Sequence, residues 1–563
     1  MDKNDIATSA NETIPPASPC RARRRLLQSL VLSLTALGAL SMVAQVTDLW
    51  AATSGFLRDQ DSFHQNEQKR IQSLVVQRTK APYKYDSEKI KRKCYAERDM
   101  GIIPAVPQGA LTFCADGGWD SVKQVSMSLE NATRVTTYKV AGGIWSTTFQ
   151  NLMLDLVGVQ IHKPIESMAN DGGSHDPRFR FNPRLINCAC DELVSYFTSM
   201  ADEKMRWSKQ IWEAFLRFKN VEVVPNATIC MPPTTKDDAR SSWDFINHPF
   251  DPPDPNKTLV FDDPVVLIAR RDDHNPFFQV SYALNSWIML KGLGWDISKT
   301  HVIHLDGGYP SPIDTLHQKL LAPNHELIDG NSLMGKRIHF RGDVMLAPFE
   351  IYGPMMQHLN NEEPCYDSKL FKSFRAQSLL TQNITPEVER ALGVARIRPM
   401  IVTVITRRPY KGRSLQRIWI NEDEILGSMR TEYKDLDVMI RSIEYANLTL
   451  AEQMKTTIES DIIISMHGAG LVNVLWTRQM TTVVEIFPKK RFRWGYRNLC
   501  QLIGCDWHEF RGGEDIGGDN DPNSKNKRIL FGEWMNFFNP LFRETYDAFE
   551  KQQAILRGVD LSP

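Results

Sequence analysis

Four apolar runs in the second half of the chain, each followed by a turn or a helical pattern, constrain the fold more than any other feature. Residues 400–406, 436–443, 461–465 and 482–487 are rich in Ile, Val and Thr. The runs at 400–406 and 461–465 are continuously apolar rather than alternating, as in strands buried on both faces of a parallel sheet. Between them, Asn421 followed by Glu424 gives a capping-box pattern for a helix start. Residues 449–460 carry Leu450, Met454 and Ile458 on one helical face, and a short helix follows Gly470. This β-α alternation predicts a Rossmann-like domain. Upstream, strands at 259–261 and 265–269, a helix at 279–293 and a strand at 301–305 ending in Asp306-Gly307-Gly308 predict a second one. Residues 232–258 are rich in Pro and Asp and read as a surface loop. Residues 512–526 read as a mobile loop, and 534–557 as a largely helical segment returning across the interdomain cleft. There is no internal repeat.

At 563 residues, with 42% hydrophobic and 24% charged residues, the chain has the composition of a multidomain globular protein. Its 67 basic and 67 acidic residues cancel, so the basic excess of a dedicated nucleic-acid binder is absent. Residues 26–47 hold no charge and would span about 33 Å as a helix. Arg21, Arg23, Arg24 and Arg25 precede them, which favours a cytoplasmic N-terminus. The pattern predicts a single-pass type II anchor, with a cleaved signal peptide as the rival; either exports the rest. Sequons at Asn131, Asn226, Asn256, Asn383 and Asn447, and eight cysteines beyond the anchor, agree with export. Cys188-Ala-Cys190 lacks a neighbouring His/Cys cluster, which favours bridges or buried thiols over a metal.

Ligands of parallel α/β sheets sit at the carboxyl ends of the strands. Three such ends carry chemistry here. Arg407 and Arg408 follow the strand at 400–406 and suit diphosphate oxygens. His467, Gly468, Ala469 and Gly470 let a backbone approach an anion closely. Glu485 lies inside an apolar strand and needs partners, for example a ribose diol. Each also has a structural explanation, as a solvated turn, a simple bend or an internal hydrogen bond. Together they suggest a site for a nucleotide-linked diphosphate.

The block Asp461-Ile-Ile-Ile-Ser-Met-His-Gly-Ala-Gly-Leu471-Val-Asn473, followed by Val484-Glu485, resembles the hallmark of glycosyltransferase family 61. The segments Ile405-Thr406-Arg407-Arg408, Asn421-Glu422-x-Glu424 and Leu450-Ala-Glu452-Gln453 occur in that family's order. Residues 266–277, with Arg270, Asp272, Asp273, His274 and Asn275, resemble its acidic-x-x-Asn-aromatic block, and His304-Leu305-Asp306-Gly307 a second strand end. The resemblance covers about residues 255–510. It implies an α/β, GT-B-like fold of two Rossmann-like domains facing a cleft, preceded by one transmembrane helix and a stem. On that reading the chain divides into a cytosolic tail (1–25), an anchor (26–47), a stem (48–93), an acceptor domain (94–385) and a nucleotide-sugar domain (386–563). Phe278 and Tyr282 depart from the family, which places His and Asp there.

The resemblance implies an inverting transferase in the Golgi membrane, its catalytic part luminal, acting on glycan or glycoprotein acceptors. The nearest pattern is that of plant-type enzymes that add xylose from UDP-xylose to the N-glycan core; other members transfer N-acetylglucosamine or arabinose. Inversion needs a base near the anomeric carbon, and Asp272 is the first candidate, with Asp273 and His274 as alternates. Leaving-group stabilisation falls to Arg407, Arg408 and the turn 467–470. DxD matches at Asp59/Asp61, Asp435/Asp437 and Asp519/Asp521 do not follow a buried strand, so no metal or other cofactor is expected. The competing reading is a membrane-anchored relative that binds UDP-sugar or glycan without turnover. Elbow or zincin motifs of hydrolases are absent.

Overall fold

The computed structural model describes residues 87–113, 134–156, 160–161, 179–180, 258–270, 273, 275–348, 350, 352–356, 365–408, 416–517 and 525–558. All of them lie in one compact unit, Val76–Pro563. The sequons at Asn131, Asn226 and Asn256, the Cys188/Cys190 pair, and Asp272 and His274 lie outside the described residues.

Helices α1 (Glu88–Arg98) and α2 (Ile102–Gln108) lead into β1 (Ala110–Phe113), β2 (Arg134–Val140) and β3 (Ile144–Asp155). A two-stranded pair, β4 (Gln160–Ile161) and β5 (Phe179–Arg180), follows. Then come β6 (Thr258–Phe261), β7 (Val265–Ile268), α3 (Pro276–Leu293), β8 (His301–His304), α4 (Asp314–Leu321), β9 (Ile328–Asp329) and β10 (Arg337–Leu346). The first sheet runs β1-β2-β3-β10-β7-β8-β9, with β6 also paired to β10.

This sheet corrects the expected parallel, Rossmann-like one. β10, β7, β8 and β9 are parallel, but β1, β2 and β3 form an antiparallel meander that joins β10 antiparallel. The cause is local. β2 and β3 are joined across Ala141–Gly143, where Gly142 adopts φ 74°, and a connection that short can only reverse the chain.

Helices α5 (Lys369–Thr381) and α6 (Pro386–Gly393) precede β11 (Met400–Ile405). The chain continues as α7 (Glu422–Glu432), β12 (Val438–Ile443), α8 (Leu450–Glu459), β13 (Ile462–Met466), a 3-10 helix (Ala469–Trp476), β14 (Thr482–Ile486), α9 (Gly495–Ile503) and β15 (Asp506–Phe510). The second sheet, β12-β11-β13-β14-β15, is wholly parallel. Every residue of β11, β13 and β14 is buried, as the continuous apolar runs predict. β16 (Glu514–Ile516) and β17 (Asn526–Arg528) pair antiparallel, so the ends of the expected mobile loop form a ribbon.

One hydrophobic cluster reaches from the first sheet's side to the second sheet's helices. It includes Val280, Leu284 and Ile288 of α3, Phe371 and Phe374 of α5, Met454 and Ile458 of α8, Trp476, and Leu499 and Ile503 of α9. α3 is buried almost all round, the mark of an interior helix. Asn275 caps it, Pro276 opens it and left-handed Gly294 ends it.

The last helix, α10 (Phe531–Leu556), lays Trp534, Phe538, Phe542 and Phe549 on the far face of the second sheet. Each such ring contributes about 1.5–3 kcal/mol by burial. It packs there and not across a cleft, because its aromatic stripe matches β11 and β13. Among the described residues no helix is long and apolar enough to cross a membrane. This overturns the expected transmembrane helix as part of the fold; residues 26–47 lie outside the described residues.

At the entry edge of the second sheet Asp461 is buried. It receives Arg398 through two bonds (2.6 and 2.8 Å), Arg478 (2.7 Å) and the Ile401 N–H (2.9 Å). Burial raises its pKa, but the two arginines and the Ile401 N–H outweigh that and hold it below the usual value. Its stabilisation is therefore complete above the unfolded carboxyl pKa, near 4, and is lost as pH falls through the lower folded value. Asp461→Ala should cost about 3–5 kcal/mol, the penalty for stranding buried partner charges. Urea unfolding at pH 7 checks it; the difference from wild type should shrink as the pH is taken well below 4.

Candidate functional site

The order β12-β11-β13 makes the strands turn away from each other on either side of β11 and β13. The crevice at their carboxyl ends is where such sheets take ligands, and Arg407 and His467 leave the sheet there. Thr406 is fixed by its hydroxyl, which donates to Glu422 Oε2 (2.9 Å); Ser442 at the end of β12 donates to Glu422 Oε1 (2.6 Å). Glu422, in the first turn of α7, thus clamps two strand ends together. Asn421 does not cap α7 through its side chain as the capping-box pattern predicts. It is drawn instead to the backbone of Ile529, accepting from its N–H (3.0 Å) and donating to its carbonyl (2.8 Å).

Arg407 and Arg417 converge on one acceptor. Arg407 Nη1 donates to the His467 carbonyl at 3.3 Å and Arg417 Nε at 2.9 Å. Arg407 is part-buried, and its Nε, shielded from solvent, has no acceptor among the described residues. Burial, and then the like charge of Arg417, pull its pKa down to about 10. Two crowded guanidinium groups of this kind are relieved by an anion. Gly468 makes the crowding feasible: a Cβ there would lie 1.3 Å from Arg407 Nη1.

His467 Nδ1 and Glu485 Oε1 lie 2.5 Å apart, and Glu485 Oε2 accepts from Trp507 Nε1 at 2.8 Å. Both carboxylate oxygens therefore have protein partners, where the sequence suggested a ribose diol. Burial, reinforced by Arg417, Arg491, Arg407 and Arg493, pushes the His467 pKa well down; burial pushes Glu485 well up. The Phe487 ring stacks on the His467 imidazole at 4.8 Å, and Tyr496 meets it edge-on at 5.7 Å. Tyr496 also meets Phe277 of α3 edge-on, at 5.4 Å. Arg408 lies apart, half-exposed and 3.7 Å from Asp423. Ala469 and Gly470 open the 3-10 helix, which Asn473 ties back to Gly470 O (2.9 Å) and Gln453 (3.2 Å).

The strand ends of the first sheet carry a buried polar network. Arg270 bonds Asp306 through its side chain (2.8 Å) and its backbone N–H (2.8 Å), and reaches Tyr309 O (3.0 Å) and Asp314 (3.3 Å). Burial disfavours its charge, but the carboxylates of Asp306, Asp314 and Asp273 outweigh that. Asp273 Oδ2 accepts from the Tyr309 N–H at 2.6 Å, so this candidate base ties the loop after β7 to the loop after β8. Burial raises Asp314 to about 6 and lowers His317 to about 4.

His317 Nε2 donates to the Gln279 carbonyl (2.8 Å), which leaves its Nδ1 to accept from His304 Nε2 (3.0 Å). Among the described residues His304, Asp314 and His317 are the one group close enough to share a metal. Their ligand atoms are engaged with one another and with Arg270. The DxD pair Asp435/Asp437 sits before β12, at the opposite edge from His467.

Sequence reasoning missed Arg417, Arg491, Arg493, Tyr496, Trp507 and Arg511. The run 489–497 holds five basic and three aromatic residues after the strand of Glu485, a signal that could have found several of them. Gly468→Ala should displace Arg407 with little loss of stability, because the clash is with the end of a long side chain. The melting temperature should therefore move by only a few degrees in a thermal scan.

The comparisons agree with this geometry. The Glycosyltransferase 61 family model matches residues 313–484. The EGF domain-specific O-linked N-acetylglucosamine transferase of Canis lupus familiaris is 26% identical over 238 residues, covering 42% of this chain and 41% of that protein. The protein of that name from Gallus gallus is 27% identical over 220 residues, covering 39% and 38%. That from Drosophila melanogaster is 28% identical over 171 residues, covering 30% of each. The chain thus spans about two fifths, or less, of the length of these curated relatives. The match runs from the first sheet's α4 to the Glu485 strand, and over it the chain is similar to glycosyltransferase family 61.

Proposed function

We propose that the protein is an inverting glycosyltransferase that moves a sugar from a UDP-sugar to a glycan or glycoprotein acceptor. The observation that carries this reading is the pair Arg407 and Arg417, crowded on the His467 carbonyl at the strand-order reversal. A diphosphate is complementary to the two positive charges gathered there. In transfer, a base takes the proton of the acceptor hydroxyl and its oxygen attacks the anomeric carbon. The bond from that carbon to the diphosphate oxygen breaks on the opposite face, and UDP leaves with its new charge on the arginines. Glu485 and Trp507 orient His467, whose ring is available to a phosphate or sugar oxygen. Arg408 and the N–H groups of Gly468, Ala469 and Gly470 are proposed as further contacts.

Asp272 is the proposed base, with Asp273 and His274 as alternates. Asp272→Asn should lower kcat by 10²–10⁴-fold and leave UDP affinity unchanged. A parallel fall in affinity would remove it from that role. No metal is assigned to catalysis: activity should persist in excess EDTA, and loss restored by Mn²⁺ would reverse the assignment.

Donor and acceptor have two readings. The sequence pattern favours xylose added to the N-glycan core, whereas the relatives' names favour N-acetylglucosamine added to EGF domains. Purified full-length protein, given UDP-xylose or UDP-N-acetylglucosamine with each acceptor, decides by product mass. UDP binding with no transfer to any acceptor would favour a non-catalytic binder. The proposed location is the Golgi lumen. The described bridges Cys94–Cys365 and Cys500–Cys505 support an oxidising compartment.

A further inference from the structure

Two sequons fall on described residues, Asn383-Ile384-Thr385 and Asn447-Leu448-Thr449, and the fold holds them differently. Asn447 ends a single 3-10 turn, Tyr445–Asn447, between β12 and α8. That turn is braced from beneath. Tyr445 is buried with its hydroxyl 3.0 Å from that of Thr457. Gln453 Nε2 donates to the carbonyls of Tyr445 (3.0 Å) and Leu448 (3.1 Å). Leu448 packs with Tyr445, Ile405 and Ile463. The inward anchors at 445 and 448 leave Ala446 and Asn447 exposed between them. A bulky polar group on Asn447 therefore stands in solvent while the anchors keep their places.

Thr449 is exposed as well. Its hydroxyl accepts from the Glu452 N–H (3.3 Å), and Glu452 accepts from the Thr449 N–H (2.8 Å), so it starts α8 with a capping box. Leu450 follows, and nothing stiffens the sequon in the unfolded chain. Asn383 is exposed too, but it is held at φ 59° just after α5, and Ile384 beside it is buried. Pro386 follows Thr385 directly. Proline fixes its own φ, lacks an N–H and restricts the residue before it. Thr385 is therefore stiff in the unfolded chain as well as in the folded one, where it caps α6.

We propose that Asn447 carries an N-linked glycan and Asn383 does not. The inference rests on the luminal reading above, because a chain on that route meets the co-reactant, an oligosaccharide carried on a polyprenyl diphosphate. In the transfer the Asn447 side-chain nitrogen bonds to C1 of the first sugar and gives up one proton. The bond from C1 to the diphosphate oxygen breaks, and the lipid diphosphate leaves with the electron pair.

The test uses full-length protein made in a eukaryotic host. N-glycosidase treatment in heavy-oxygen water turns each glycosylated Asn into a labelled Asp, read by peptide mass. Label is expected at Asn447 and not at Asn383. Asn447→Gln should lose the mass of one glycan and keep the capping box, so its melting temperature should move by only a few degrees. Thr449→Ala should lose the same glycan and also melt earlier, because it removes the cap. Label at Asn131, Asn226 or Asn256 with none at Asn447 overturns the site while the luminal reading stands. Equal label at Asn383 and Asn447 overturns the choice between them. No label at any sequon overturns the luminal reading itself.

Discussion

The buried carboxylate of Asp461 sets the register on which the second half depends. Arg398 arrives from the segment before β11, Arg478 from the loop before β14, and the Ile401 N–H from β11 itself. The Asp461 backbone continues the tie, its N–H donating to Ile401 O and its carbonyl accepting from Thr482. Three strands are thereby aligned at their entry edge by one side chain. A parallel strand shifted by one residue would turn its side chains to the other face, and Arg407, His467 and Glu485 at the exit edge would no longer meet. The polar lock is built at the entry end of the sheet, and its consequence appears at the exit end.

The exit edge is electrostatically the reverse. Asp461 has two arginines around one carboxylate, whereas His467 lies under the fields of Arg407, Arg417, Arg491 and Arg493. The nearest carboxylate, Glu485, is turned into the protein toward His467 and Trp507. Positive charge is thereby gathered at the exit edge as negative charge is held at the entry edge. The first sheet balances its arginine internally, with Arg270 held by Asp306 and Asp314. Its strand-end loops are therefore braced rather than charged for phosphate.

What the sequence made legible follows from periodicity and its limits. β11, β13 and β14 are apolar without interruption because both faces are covered, and that pattern needs no partner to be read. The antiparallel β1–β3 meander was not read: Thr136, Thr137, Thr147 and Thr148 break the apolar pattern, and the pairing of β3 with β10 joins residues nearly 200 apart. His467, Arg407 and Glu485 were found because they stand at strand ends. Arg417, Tyr496 and Trp507 come from a loop, a helix and the middle of a strand, and only the fold collects them. Asn421 shows the opposite failure, where a correct local pattern lost to the tertiary contact with Ile529.

The two departures from the family pattern have physical accounts that bear on the chemistry. Phe278 packs against the shared core. Tyr282, one turn further along α3, is fully buried and its hydroxyl donates to the Ala269 carbonyl at 2.9 Å. An aspartate there would place a charge in this interior and need a cation to balance it; tyrosine keeps a polar tie to the strand end and adds none. The helix thereby anchors the start of the 270–275 loop without contributing a carboxylate. Within that loop Asp273 holds the Tyr309 N–H through its carboxylate, so the tyrosine and the aspartate brace the same strand end from two sides.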